Sequence, residues 1–289
     1  MFDLVRRWCL SRSGLAEAAS RDAPHDATRE ASRDGPGAGS TAGSRTPSGI
    51  VATHGARIDR SEGWPGQCTL CRRWCRGALC EDCEALFPPD AAPRCALCAL
   101  RLPPGAASGR LRCGHCAARP PPLSHCVAAL DYAFPWDQLL LALKFGERLE
   151  LASLLAGRLS LALAHAQAVP VDLIVPVPLS AERLRERGYN QAHELARRMH
   201  PPAGQQRQSR LCAHTLLRVR HTDQQARLPL DERHGNLRGA FAVVKPVQGL
   251  RVAIVDDVMT SGATLHEAAL ALRRAGAADV QAWVAARTP

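Results

Sequence analysis

Arg251-Val252-Ala253-Ile254-Val255-Asp256-Asp257-Val258-Met259-Thr260-Ser261-Gly262-Ala263-Thr264-Leu265 is the stretch that decides how this chain folds. It opens with an apolar, β-branched run, which suits a strand buried in a parallel sheet. Two adjacent carboxylates follow, and then a turn of small and hydroxyl-bearing residues. From Leu265 to Ala275 apolar residues recur at helical spacing (Leu265, Ala268, Ala269, Leu272), and Gly276 is placed to cap the helix. Strand, acidic pair, turn and helix in that order make a holder for a phosphate monoester. The N–H groups at a helix N-terminus are unpaired, Gly262 lets the backbone approach closely, and Thr260, Ser261 and Thr264 add hydroxyl donors.

The carboxylates would repel a phosphate, so they serve another part of the ligand. They suit hydroxyls about one sugar away, as acceptors from vicinal ribose hydroxyls or through a bound Mg²⁺. Phosphate on one side and sugar hydroxyls on the other describe a ribose 5-phosphate. The plain alternative is a strand ending in two acids before an ordinary capped helix. The segment Val255–Leu265 resembles the signature of type I phosphoribosyltransferases, which bind phosphoribosyl pyrophosphate (PRPP). By that resemblance Asp256 and Asp257 are the catalytic pair that holds the ribose hydroxyls. Met259, Thr260, Ser261, Gly262, Ala263 and Thr264 then wrap the 5′-phosphate.

Outward from this stretch, 289 residues leave room for one medium domain and a smaller module. The formal charge of +10 suits a polyanionic ligand and nucleic acid equally, so it does not separate them. No apolar run is long enough to span a bilayer. Phe2–Leu10 lacks the apolar core of a signal peptide, and a cytoplasmic location is expected. Residues 1–63 are rich in Ala, Ser, Gly, Arg, Asp and Pro without hydrophobic periodicity. Such a segment does not bury enough surface to offset its ordering entropy, so a disordered extension is expected there.

Residues 64–119 read as a cysteine-rich module. Eight of the 12 cysteines form four Cys-x-x-Cys pairs: Cys68/Cys71, Cys80/Cys83, Cys95/Cys98 and Cys113/Cys116. Two such pairs supply four thiolates at the spacing of a structural zinc site, so up to two zinc ions are expected. In a reducing compartment disulfides are not. The simplest assignment puts Cys68, Cys71, Cys80 and Cys83 on one ion and Cys95, Cys98, Cys113 and Cys116 on the other. An interleaved assignment stays open, as do Cys75 and His115 as substitute ligands. Arg72, Arg73, Arg76 and Arg101 leave contact with nucleic acid open. Cys9, Cys126 and Cys212 read as ordinary buried or loop residues.

Arg119–Leu123 is a proline-rich linker into a domain spanning 124–289. Strands are expected at Cys126–Tyr132, Asp172–Val177, Leu216–Val219 and Val280–Ala285. Helices are expected at Pro135–Phe145, Leu149–Ala166 and Asn190–Met199, with Gly188 breaking the charged segment before the last. Thr222–Gly239 reads as a polar loop. Strands alternating with helices give an α/β fold with a parallel sheet.

The order of these pieces is similar to the ComF-type competence proteins, also described as GntX-like. The cysteine module precedes Leu143-Lys144-Phe145, and Ile174-Val175-Pro176-Val177-Pro178-Leu179 and Arg187-Gly188-Tyr189-Asn190-Gln191 follow. Then come Arg218-x-Arg220-x-Thr222-x-x-Gln225, Arg233-x-x-Asn236-x-x-Gly239-Ala240-Phe241 and the Asp256-Asp257 turn. The resemblance covers Cys68 to Arg287 and implies a type I phosphoribosyltransferase-like sheet flanked by helices. It also implies a pyrophosphate loop at Val177, Pro178 and Leu179 with Arg187, Arg183 and Arg185 nearby, a solvated basic face being the alternative for the arginines. Tyr189, Asn190 and Gln191 would line the same crevice, and a flexible loop would carry Arg220, His221, Thr222 and Gln225. Lys144 is left without a role except, by position, on the acceptor side. PRPP with Mg²⁺ is the implied ligand, and DNA uptake in natural transformation the implied process. The implied activity is transfer of the phosphoribosyl group, a glycosyltransferase reaction, to an unassigned acceptor. Two further readings stand beside it: a non-catalytic PRPP sensor, and a zinc-module factor that binds single-stranded DNA or competence-machinery proteins.

Overall fold

The computed structural model describes residues 65–89, 92–103, 111–200, 209–219 and 239–289. The chain divides into two compact units, 1–87 and 88–289. The expectation for residues 1–63 falls outside the described residues.

In the first unit β1 (Pro65–Gln67) and β2 (Trp74–Arg76) pair as an antiparallel hairpin, with Gly66 opposite Cys75. Between them the chain turns tightly: Cys68 N–H donates to Arg73 O (2.7 Å), and Arg72 takes a left-handed backbone with φ 67°. The short helix α1 (Glu81–Leu86) begins at Cys80 and carries Glu81, Asp82 and Glu84 in its first turn. Negative charge there complements the helix dipole.

The second unit is built on a five-stranded sheet with every neighbouring pair parallel. Its strands are β3 (His125–Asp131), β4 (Leu173–Pro176), β5 (Arg210–Leu211), β8 (Arg251–Met259) and β9 (Asp279–Arg287), in the spatial order β3-β9-β8-β4-β5. The central strands β8 and β9 are buried along nearly their whole length. A strand covered on both faces needs such continuous apolar runs, and helices supply the cover. The helices are α2 (Gly114–Ala118), α3 (Trp136–Phe145), α4 (Leu151–His165), α5 (Ala181–Arg187), α6 (Gln191–Ala196) and α7 (Ala263–Arg274).

Helix α4 packs on β3 and β9, and α6 on β4 and β8. The apolar stripe of α7 (Leu265, Ala268, Ala269, Leu272) joins a core with Val252, Ile254, Ala282 and Val284. A second small sheet, β6 (Leu216–Arg218) against β7 (Phe241–Val243), adds Leu216 and Phe241 to that core. Leu139, Leu140 and Leu143 of α3 are fully buried, each worth roughly 1.5–3 kcal/mol of transfer free energy.

The expected strands and helices of the sheet domain appear within a few residues of their expected ends. The expected domain boundary near residue 119 falls inside the second unit, because Cys95–Cys116 packs with the sheet. Cys126 N–H donates to Ala96 O (2.7 Å), and Arg94 Nη2 pairs with Asp131 Oδ1 (2.7 Å).

Candidate functional site

Strand β8 delivers Asp256 and Asp257 to the carboxyl end of the sheet, where parallel α/β folds place their ligands. Each carboxylate is oriented by the next amide: Asp257 N–H donates to Asp256 Oδ1 (2.9 Å), and Val258 N–H to Asp257 Oδ1 (2.8 Å). Asp257 is 7 % exposed. Its Oδ2 lies 3.0 Å from Lys144 Nζ on α3 but receives no hydrogen bond of normal geometry, so an acceptor lone pair is left over in a buried place. Burial first, and the neighbouring Asp257 charge second, push the Asp256 carboxyl up to about 8, while Lys144 pulls it back. Burial draws the Lys144 ammonium down, but Asp257 and Asp256 more than offset this and leave it above its usual value.

The turn after β8 forms the next wall. Gly262 is left-handed (φ 81°) and sits at the N-terminus of α7. Ala263 N–H reaches Ser261 Oγ (3.4 Å), and the first bond of the helix runs from His266 N–H to Gly262 O (2.9 Å). The amides of Ala263–Leu265 precede that bond and form the free end of the helix dipole. Thr260 and Thr264 line the cleft. Met259 and Ala263 are buried beneath it.

Opposite stands a cationic wall. Val177, Pro178 and Leu179 leave β4, tied by Val177 N–H to Val255 O (2.8 Å) and by Asn190 Nδ2 to Val177 O (2.9 Å). Asn190 also caps α6 through Oδ1, accepting from Ala192 and His193 amides. Its work is to hold the loop. Arg183, Arg187 and Arg218 face the cleft. Arg187 stacks over Phe145 (4.9 Å) and gives Nη1–H to Gln191 Oε1 (3.1 Å). The buried Gln191 Nε2 has no partner. Burial lowers the Arg187 and Arg218 guanidinium values, yet both stay cationic at neutral pH.

The cleft is open to solvent and has a volume of about 260 Å³. Asp256, Asp257, Thr260, Thr264, Val177, Pro178, Leu179 and Arg187 all meet in it. Ser261 and Gly262 shape the turn, Arg185 is exposed outside the cleft, and Tyr189 lies in a neighbouring hollow with its hydroxyl donated to Leu143 O. Arg220, His221, Thr222 and Gln225 lie outside the described residues. A larger hollow of about 380 Å³ lies between Cys95-Ala96 and α4. Half of its lining is Ala and Leu, with Arg94 committed to Asp131 and Arg158 stacked on Trp136, and it holds no carboxylate, so the acidic pair belongs to the smaller cleft. Sequence reasoning gave Lys144 no part in the acidic pair. The signal was present, since the chain has two lysines against its many arginines and one of them is Lys144.

The cysteines converge as two quartets. The sulfurs of Cys68, Cys71, Cys80 and Cys83 lie within 4.8 Å of one another, as do those of Cys95, Cys98, Cys113 and Cys116. Cys71 and Cys80 Sγ are 3.5 Å apart, and Cys98 and Cys113 Sγ 3.7 Å. Four thiolates on a tetrahedral zinc, with Zn–S about 2.3 Å, stand about 3.8 Å apart, whereas a disulfide needs about 2 Å. No described cysteine is in a disulfide. The donor set fits zinc. The pairing is sequential rather than interleaved, and Cys75 and His115 stand outside both quartets.

No family model matches the chain. It is 37% identical over 236 residues to the DNA utilization protein YhgH of Escherichia coli (strain K12), covering 78% of this chain and 98% of that protein. It is 31% identical over 236 residues to Competence protein F of Haemophilus influenzae, covering 76% and 96%. Against Competence protein ComFC of Bacillus subtilis it is 34% identical over 117 residues, covering 40% and 45%. Among solved structures it is similar to the allosteric regulatory enzyme of purine biosynthesis (25% identity, TM-score 0.28), over 46% of this chain and 25% of that one. It is also similar to the glutamine PRPP amidotransferase from B. subtilis complexed with ADP and GMP (23% identity, TM-score 0.28), over 46% and 26%. The extent of the match to YhgH and Competence protein F shows that the chain belongs to the ComF/GntX-type competence protein family, and it carries a parallel α/β sheet flanked by helices and four-cysteine clusters.

Proposed function

We propose that the protein binds PRPP with Mg²⁺ in the Asp256–Asp257 cleft and transfers its phosphoribosyl group within a DNA-uptake process. The reading draws on the names of its relatives for the process and on the cleft for the chemistry. One observation carries it: an acidic pair lies between a glycine-capped helix N-terminus and a wall of three arginines. The 5′-phosphate takes the amides of Ala263–Leu265 and the hydroxyls of Thr260 and Thr264. The ribose hydroxyls donate to Asp256 and Asp257. The pyrophosphate meets Arg183, Arg187, Arg218 and the Val177–Leu179 backbone.

As the bond from the anomeric carbon to pyrophosphate lengthens, positive charge develops on the sugar and negative charge on the leaving group. The carboxylates stabilise the first and the arginines the second, in a site already arranged for both. Asp256 and Asp257 would hold Mg²⁺, which when bound would offset the negative charge of the pyrophosphate.

Calorimetric titration of the zinc-loaded protein with PRPP and Mg²⁺ tests this. Saturable binding is expected, weakened on the order of 100-fold in an Asp256→Asn, Asp257→Asn variant, as for buried charge contacts worth 2–5 kcal/mol. Absence of binding by the intact protein would exclude the proposal. Pyrophosphate release on adding candidate acceptors separates transfer from sensing.

A second reading, for the first unit, is favoured by Trp74. It is 69% exposed on β2, in a segment that also carries Arg72, Arg76 and Arg73, the last of them paired with Asp82. An exposed indole among cations is a stacking platform for single-stranded DNA. Trp74→Ala is expected to weaken binding of a single-stranded oligonucleotide about 10-fold, as loss of one base stack does, with PRPP affinity unchanged. Equal oligonucleotide binding by both proteins in a salt series would remove this role.

A further inference from the structure

The second cysteine quartet is wired to the phosphate turn. Two routes run from its Cys95–Cys98 turn to one residue, Met259, which ends β8 and begins the turn. The first goes through the backbone. Arg287, at the carboxyl end of β9, donates Nε–H to Cys98 O (3.0 Å) and Nη1–H to Met259 O (3.3 Å). Thr288 adds its amide (3.1 Å) and its hydroxyl (3.4 Å) to the same carbonyl, and Arg287 Nη1 fixes Thr288 Oγ1 at 2.8 Å. The second goes through a side chain. Ala96 O accepts from Cys126 N–H (2.7 Å), and Cys126 Sγ touches Met259 Sδ (3.8 Å). The far end of Met259 then lies under Gly262, its Cε 2.5 Å from where a Cβ on Gly262 would stand.

Met259 is therefore held at both ends by groups that a four-thiolate site would fix in place. We propose that Arg287 is a positioning residue that couples metal occupancy of the Cys95/Cys98/Cys113/Cys116 site to the geometry of the 5′-phosphate turn. The inference rests on the proposed phosphate role of Thr260–Thr264. The planar guanidinium suits this work, because one rigid fork spans two carbonyls from different segments. Zinc contributes by holding the Cys95–Cys98 turn rigid, so that Cys98 O is presented at a fixed place. The ordering cost of the phosphate turn is then met before the ligand arrives, which raises affinity without a new ligand contact.

The test is a cycle of zinc removal and Arg287 substitution in the full chain. Ribose 5-phosphate probes the phosphate turn, and inorganic pyrophosphate with Mg²⁺ probes the opposite wall. Arg287→Ala should keep one zinc per quartet and its pyrophosphate affinity, and should bind ribose 5-phosphate about 10-fold more weakly, the size expected for a misplaced contact supported from outside the ligand shell. Arg287→Lys keeps the charge but not the fork and should recover only part of the loss. Zinc removal by a chelator should weaken ribose 5-phosphate binding in the wild type and do so less in Arg287→Ala.

Hydrogen exchange of the 259–265 amides in the ligand-free protein gives an independent reading. Exchange there should rise on zinc removal, and less so when Arg287 is already absent. Equal effects of zinc removal in both proteins, or unchanged exchange in the turn, would overturn the coupling. If the wild type binds neither ribose 5-phosphate nor PRPP, the functional proposal fails while the exchange experiment still decides the coupling.

Discussion

A Gly262→Val variant is expected to lose PRPP–Mg²⁺ affinity by on the order of 100-fold, the effect of a displacement of about 1 Å in a positioned site, while keeping both zinc ions. Gly262 has φ 81°, a region that a β-branched residue occupies only at high cost. Its new side chain would also meet Met259 Cε at 2.5 Å. The methyl end of a methionine is flexible, but this side chain is buried and its Sδ is in contact with Cys126 Sγ. The backbone must shift, and the amides of Ala263–Leu265 no longer converge. Gly276 provides the control. It is equally left-handed (φ 91°), and a Cβ there would meet only the end of the Gln248 side chain. Gly276→Ala should lower the melting temperature and leave PRPP affinity alone. Calorimetry with both variants, beside zinc content and thermal melts, separates site geometry from stability. Wild-type affinity in Gly262→Val would remove the turn from the site.

The strand–turn–helix around Asp256 and Gly262 was legible in the sequence because its parts are local. A buried strand, two acids, a glycine needing a positive φ and an amphipathic helix follow one another within one stretch, and each follows from residue type. The quartets were legible for the same reason, since Cys-x-x-Cys spacing is set by the turn that presents two thiolates. Their sequential pairing was the simplest assignment and is the one found, but the spacing also allowed an interleaved one, and only the fold, which brings the chosen sulfurs together, decides between them. Lys144 was not assigned for the same cause. Nothing in Leu143-Lys144-Phe145 says that α3 ends beside Asp257; the order of strands in the sheet does. Arg287 is harder still. Its neighbours Cys98 and Met259 come from distant segments, and an arginine next to the last residues of a chain reads as solvated. The two-residue strand β5 and the short β7 also escaped, being too short to show a period.

Lys144→Met is expected to move the pH dependence of PRPP binding upward. In the ligand-free protein the Asp256 carboxyl is raised from its ordinary 3.8 to about 8, by burial and then by Asp257, with Lys144 opposing. Between those values the folded protein holds a proton that the unfolded chain has released. The stability contributed by neutral Asp256 is therefore full at low pH and is lost as pH rises across that window. Ligand binding runs the other way. Ribose hydroxyls and Mg²⁺ both favour the ionised pair, so PRPP–Mg²⁺ affinity should climb with pH towards 8 and binding should release a proton. Removing the ammonium 3.0 Å from Asp257 Oδ2 takes away the charge that favours ionisation. A further rise of one pH unit in the Asp256 midpoint corresponds to about 10-fold weaker binding at neutral pH, recovered in part at higher pH. Lys144→Arg, which keeps the charge, should lie close to the wild type. Titrations across this range in buffers of different ionisation heat report both affinity and the protons released. A uniform loss at every pH would mean that Lys144 acts by direct contact with the ligand, and no loss at all would separate it from the acidic pair.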